Sequence, residues 1–198
     1  LFLVLHLMIA GRLHWHAAIG KPPAKAALAT FEFNGGTLAF TEAGTQRRAS
    51  LHLVSGRDAL VAMDPGGIDV MHCTSAEFAA QLAADNHTLK RSLTNPQLFS
   101  GIGNAYSDEI LHRARMSPVT LTRSLDTVAA QRLQDATRAV MSEWTQRLGE
   151  EAAKHSGWPK KVTAFHPQMA VHGRYGEPCP VCGSKVQRIV HADNETNY

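Results

Sequence analysis

Apolar positions recur along this chain with two different periods. Up to about Asp69 they come in short runs that alternate with polar residues, the period of two that puts one strand face on a core. Residues 1–10, 29–33, 37–41 and 49–54 are the predicted strands. Asn34-Gly35-Gly36 lies between the alternating runs Thr30-Phe31-Glu32-Phe33 and Thr37-Leu38-Ala39-Phe40, a strong hairpin signal because glycine tolerates positive φ. Lys21-Pro22-Pro23 reads as a loop. The opening third is therefore expected to be an antiparallel sheet or sandwich.

Near Thr74 the period changes to that of a helix. Thr74-Ser75-Ala76-Glu77 is a capping box, in which the threonine oxygen takes a helical amide and the glutamate reaches back. It predicts a helix to about Ala84. A second short helix over 88–93 ends at Asn95-Pro96, where the residue before proline leaves the helical region. Asn104 is placed to cap a third, with Asp108 and Glu109 in its first turn and Pro118 beyond its end. Leu125, Val128, Leu133, Ala136, Val140, Trp144 and Leu148 then mark one amphipathic helix of roughly seven turns.

Composition narrows the function classes. A chain of 198 residues with 44% hydrophobic content can bury a core. Its 20 Lys and Arg against 17 Asp and Glu are only mildly basic, a weak pointer to an anionic partner that gains weight from clusters at Arg47-Arg48, Lys90-Arg91, Arg113 with Arg115, Lys160-Lys161 and 174–188. Three cysteines make no disulfide framework and fit a reducing, cytoplasmic compartment. The apolar start passes into His6 and Arg12 too soon to span a bilayer. Because it begins inside an apolar run and without Met, the sequence is expected to be a fragment. The eleven histidines show no zincin spacing, and Cys73 reads as a packed thiol.

Two motifs carry chemistry. In Leu98-Phe99-Ser100-Gly101-Ile102-Gly103-Asn104-Ala105-Tyr106, glycines let the backbone approach another group closely, and the helix that follows offers free amides to an anion such as a DNA phosphate. An ordinary helix corner is the competing reading of a bare G-x-G. In Cys179-Pro180-Val181-Cys182-Gly183, the two-residue gap lets both thiolates face one tetrahedral Zn²⁺. A redox pair is the alternative, disfavoured because no βαβ pattern surrounds it. The 16 residues after Cys182 hold no further cysteine, so the zinc site is expected to be half present, with His191 a poor substitute ligand.

These residues resemble the formamidopyrimidine-DNA glycosylases and their endonuclease VIII relatives, over nearly the whole chain. His6-Leu7-Met8-Ile9-Ala10-Gly11-Arg12-Leu13 is similar to the strand entering the lesion-facing loop, residues 98–109 to the helix–two-turn–helix signature, and Val171-His172-Gly173-Arg174-Tyr175-Gly176-Glu177-Pro178-Cys179 to the lead-in of the zinc finger. The resemblance implies an α+β fold: a truncated antiparallel β-sandwich over 1–72, a helix–two-turn–helix DNA-binding domain over 73–160, and a truncated β-hairpin zinc finger over 161–198. It implies a monomer at the bacterial nucleoid that excises oxidised bases from damaged duplex DNA and cuts the abasic site, with structural zinc and no membrane contact.

By the same resemblance, Asn104 and Gly103 hold a phosphate beside the lesion, Lys90 is a nearby phosphate contact, Glu109 has a supporting or helix-stabilising role, and Arg174 flanks the hairpin. Cys179 and Cys182 are half of the zinc site. The family's nucleophile, an N-terminal proline, and its glutamate and lysine partners match no residue here and are expected upstream of Leu1, leaving the fragment alone inactive. Ile9, beside Met8, stands where relatives carry a methionine wedge, Arg47 and Ala49 at the other filler positions, and Asn194 where an arginine enters the DNA. An amide lacks the guanidinium's charge and fork. A non-catalytic damaged-DNA-binding relative is therefore the alternative function, and an RNA-binding zinc ribbon a weaker one.

Overall fold

The computed structural model describes residues 1–8, 10–17, 27–42, 47–154, 165–191 and 194–198. The chain divides into two compact units, Leu1–Asp64 and Pro65–Tyr198. Among the described residues no helix is long and apolar enough to cross a membrane.

The first unit is antiparallel throughout. Strand β1 (Phe2–His6) pairs with β5 (Ser50–Val54), while β4 (Gly36–Glu42) lies between β2 (Gly11–His16) and β3 (Ala27–Phe33). A short helix, α1 (Arg57–Val61), follows. As the central strand, β4 carries the buried residues Thr37, Ala39, Phe40, Thr41 and Glu42. The expected hairpin forms, with Phe33 opposite Gly36. Its glycine requirement has a more specific source than turn chemistry: of the two glycines only Gly36 has positive φ (151°), and a Cβ there would stand 2.2 Å from the His16 carbonyl oxygen. The first predicted strand is corrected to β1 alone. Strand β2 was not predicted, although Leu13 and Trp15 alternate with Arg12, His14 and His16. The Lys21-Pro22-Pro23 loop, Lys160-Lys161 and Ile9 lie outside the described residues.

The second unit is helical. The two-residue parallel strands β6 (Ile68–Asp69) and β7 (Phe99–Ser100) frame α2 (Ser75–Ala84) and α3 (Leu89–Leu93). Then come α4 (Asn104–Ala114), α5 (Thr127–Lys154) and the antiparallel hairpin of β8 (Arg188–His191) and β9 (Asn194–Asn197). The capping box forms as predicted: the Glu77 amide donates to Thr74 Oγ1 at 3.2 Å, and the Thr74 amide to Glu77 Oε2 at 2.7 Å. Of the long stripe, Leu133, Ala136, Val140 and Trp144 are buried, whereas Val128, in the first turn of α5, is 73% exposed. These buried residues pack on Phe78, Leu82, Leu89, Leu93, Phe99, Ile110 and Leu111, and Cys73 is a packed thiol in the same core.

Candidate nucleic-acid interface

Helix α4 organises the site. Its N-cap is Gly103, in extended conformation and without a side-chain cap, which corrects the assignment of that role to Asn104. Asn104 is the first helical residue, and its Nδ2 donates across the unit to the Glu195 carbonyl at 3.0 Å. Just before it, Gly101 has φ +84° while Gly103 has an ordinary φ of −98°. Both are exposed, and a Cβ built on either meets nothing within 4 Å. Gly101 is required by backbone conformation. Among the described residues, nothing packed around Gly103 requires a glycine there.

Asp108 and Glu109 lie past the first turn of α4, so the expectation that they stabilise its start is also corrected. Both are buried, and both act at a distance. Asp108 Oδ1 accepts from Lys90 Nζ at 2.6 Å, while Oδ2 takes His172 Nδ1 at 2.7 Å and the Asn197 amide at 3.0 Å. Glu109 accepts the amides of Ala170, Val171 and His172 at 2.8–3.0 Å. One turn of helix thus grips α3, the 170–172 backbone and β9. Neither His172 nor Asn197 carried a local sequence signal for this, since their partner lies 64 and 89 residues away.

Lys90, expected beside a phosphate, is placed differently. Its three donors are spent on the Asn104 carbonyl at 2.7 Å, Ser107 Oγ at 2.7 Å and Asp108. Burial pushes its pKa below the usual lysine value, and Asp108 opposes that shift. Tyr106, on α4, is pushed up by burial and by the Glu109 charge.

The cysteines sit in a tight loop beyond this cluster. The Cys179 amide donates to the Ser184 carbonyl at 2.7 Å, the Gly183 amide to the Cys179 carbonyl at 2.9 Å, and the Val181 amide points at Cys179 Sγ at 3.4 Å. Amide donation to sulfur and the left-handed Gly183 (φ +73°) suit a pair of thiolates on one zinc ion. The Ser184 amide, followed by its hydroxyl, holds the Cys182 thiol below its ordinary pKa. Among the described residues no three His, Cys, Asp or Glu side chains are arranged to hold a metal. His112 of α4 lies 3.2 Å from Cys179 Sγ, and burial pushes its pKa down against the raising influence of Glu109.

The remaining predicted residues lie around this centre or apart from it. Arg174 ties the loop together, donating to Glu177 Oε2 at 2.7 Å and to the Met169 carbonyl at 3.1 Å. Asn194 is exposed at the start of β9, next to the Glu195 that Asn104 engages. On β8, Arg188 stacks on Tyr175 at 4.4 Å. Arg47 is exposed in the first unit, just before β5.

Comparison with known proteins bears on both motifs. The formamidopyrimidine-DNA glycosylase H2TH domain model matches residues 62–154, and the zinc finger found in FPG and IleRS matches residues 176–198. An uncharacterized formamidopyrimidine-DNA glycosylase-like protein of Mycobacterium tuberculosis is 35% identical over 133 residues, covering 67% of this chain and 80% of its own. The formamidopyrimidine-DNA glycosylase of Thermus thermophilus is 40% identical over 126 residues, and that of Listeria innocua 29% over 116. The chain spans under half of those two, 46% and 42% of their lengths. Among solved structures, the Lactococcus lactis enzyme crystallised with FAPY-dG-containing DNA superposes with a TM-score of 0.82 at 24% identity, covering 99% of this chain and 72% of that one. The MutM (FPG) protein of Thermus thermophilus gives 0.72 at 28%, covering 99% and 73%. The α+β fold, the helix–two-turn–helix region and the zinc-finger region all correspond, and the chain belongs to the formamidopyrimidine-DNA glycosylase and endonuclease VIII family.

Proposed function

We propose that the protein is a base-excision-repair DNA glycosylase with abasic-site lyase activity, acting on oxidised bases in duplex DNA, and that this chain's helical unit holds the damaged strand. The observation that carries the reading is the open glycine surface at the start of α4. The first amides of a helix have no intrahelical partner and attract anions. Gly103 leaves them uncovered, and Asn104, with one amide proton given to Glu195, has a second to offer. A backbone phosphate satisfies both. Lys90 then acts behind this surface, fixing the first turns of α4 rather than touching DNA.

The hairpin is the second arm of the grip, with Asn194 and Arg188 on its strands, Arg174 bracing its base and Cys179 with Cys182 holding structural zinc. Ile9 and Arg47 are assigned to the space left by the extruded base, which such enzymes must fill. No residue of this chain is assigned to attack the sugar. In this reading the Schiff base forms on an N-terminal proline that no residue here matches.

Two measurements test the proposal. The protein should bind a duplex with an abasic-site analogue more tightly than intact duplex or structured RNA, with affinity falling as salt rises because phosphate contacts release counterions. Borohydride should trap a covalent adduct between abasic DNA and the full-length protein. Binding without an adduct would favour the non-catalytic relative, the reading that the substituted positions Ala49 and Asn194 support.

A further inference from the structure

The Cys179 sulfur is approached from two sides. Val181 N–H comes from its own loop at 3.4 Å, and His112 Nε2 from the last turn of α4 at 3.2 Å, 67 residues away in sequence. Both residues line a cavity of about 780 Å³ together with Cys182, Ser184, Arg113 and Lys185.

The His112 contact can be a metal ligand's spacing or a hydrogen bond's. Two ligands of one tetrahedral zinc, with Zn–S near 2.3 Å and Zn–N near 2.0 Å, stand about 3.5 Å apart. The observed 3.2 Å falls within N–H···S reach, and among the described residues no three His, Cys, Asp or Glu side chains, His112 with Cys179 and Cys182 included, are arranged to hold a metal. We propose that His112 is a positioning residue of the zinc centre: its Nε2–H donates to the Cys179 thiolate, while zinc is held by sulfur. The bond draws negative charge off the thiolate, fixes its direction, and fastens the metal loop to the helix whose other end carries Asn104. Donors of this kind around a metal typically contribute about 10–100-fold to its affinity.

The inference rests on the zinc assignment made under Proposed function, and its test separates the two. Zinc affinity would be measured on the full-length protein by competition with a chromophoric chelator for the wild type, His112→Phe, which keeps a ring but removes the donor, and His112→Gln, which keeps an N–H. Circular dichroism confirms the helices in each. The phenylalanine variant should bind zinc about 10–100-fold more weakly, and the glutamine variant should recover part of the loss. With Co²⁺ in place of zinc, the d–d bands should keep their positions in all three, while the sulfur-to-cobalt charge-transfer band moves to lower energy in His112→Phe. A merely structural histidine would leave that band unmoved. Equal affinities, or d–d bands that reveal a lost ligand in His112→Phe, overturn the proposal while leaving zinc binding intact. A wild type that binds no zinc overturns both.

Discussion

Gly103→Ala separates folding from binding at one atom. The backbone at Gly103 is extended (φ −98°, ψ 179°), a conformation alanine adopts freely, and the added Cβ meets nothing within 4 Å. Removing glycine's unfolded-state freedom stabilises by about 0.4–1 kcal/mol at a compatible site. Alanine is a poorer N-cap than glycine by a similar amount, so the two effects nearly cancel. Stability should therefore stay within about 0.5 kcal/mol of wild type. Binding has no such compensation. A hydrogen bond from an amide to a charged phosphate is worth about 1.5–3 kcal/mol, so a methyl that holds the phosphate off weakens affinity about 10- to 150-fold. Gly101→Ala is the counterpart: at φ +84° it forces strain of about 1–2 kcal/mol and lowers stability first. Urea unfolding and fluorescence anisotropy on an abasic-analogue duplex would measure both quantities. Wild-type affinity in Gly103→Ala, or a stability loss there beyond about 1 kcal/mol, refutes the reasoning.

Four further outcomes follow from the buried charges and caps. Asp108→Asn leaves the Lys90 ammonium buried without its counter-charge and should cost about 3–5 kcal/mol in denaturant unfolding; an unchanged midpoint would show that the pair does not clamp α3 to α4. Burial holds the Lys90 pKa below its ordinary value of 10.5. The folded state therefore loses that proton first, and the unfolded state binds more protons in the window between the two values, so the Lys90 contribution to stability improves as pH rises through it. Unfolding free energies from neutral to alkaline pH should show the increment in wild type and not in Lys90→Met. Thr74→Ala removes the capping oxygen of α2 and should cost about 1 kcal/mol, read as a lower Tm. The Glu77 carboxyl, held below 4.5 chiefly by the Thr74 amide, adds stability that is present above that value and disappears as pH falls through the lower one.

What was legible in the sequence was whatever one segment settles by itself. Four residues, Thr74 to Glu77, specify the start of α2 because every atom of the capping box lies within them. The core face of α5 follows from spacing alone; Val128 escapes it because the first turn of a long helix need not face the core. Strand β2 carried a usable alternation in Leu13 and Trp15. The turn before α4 was readable because Gly101 and Gly103 leave a local mark. The partners of Asp108, Glu109 and His112 were not readable. Their acidic or basic character announces a charge, while the groups that answer it lie at residues 90, 170–172, 179 and 197, and only the fold brings those within 3.2 Å.

The acidic pair explains why a short helix can serve a site built from distant segments. A surface carboxylate at either position would contribute a few tenths of a kcal/mol to α4 as a helix. Buried, Asp108 and Glu109 cannot remain charged without partners, because desolvating an unpaired carboxylate costs far more than the helix gains. Asp108 finds a cation and two hydrogen-bond donors; Glu109 finds three backbone amides. Each donor is directional, so the requirement fixes the 170–172 backbone and β9 against the second turn of α4. Asn104, bonded to Glu195 one turn earlier, adds a second point of attachment, and two points define an orientation where one does not. The glycine surface at the helix start and the hairpin strands are then held at a set spacing, which is what recognition of a duplex by backbone position demands.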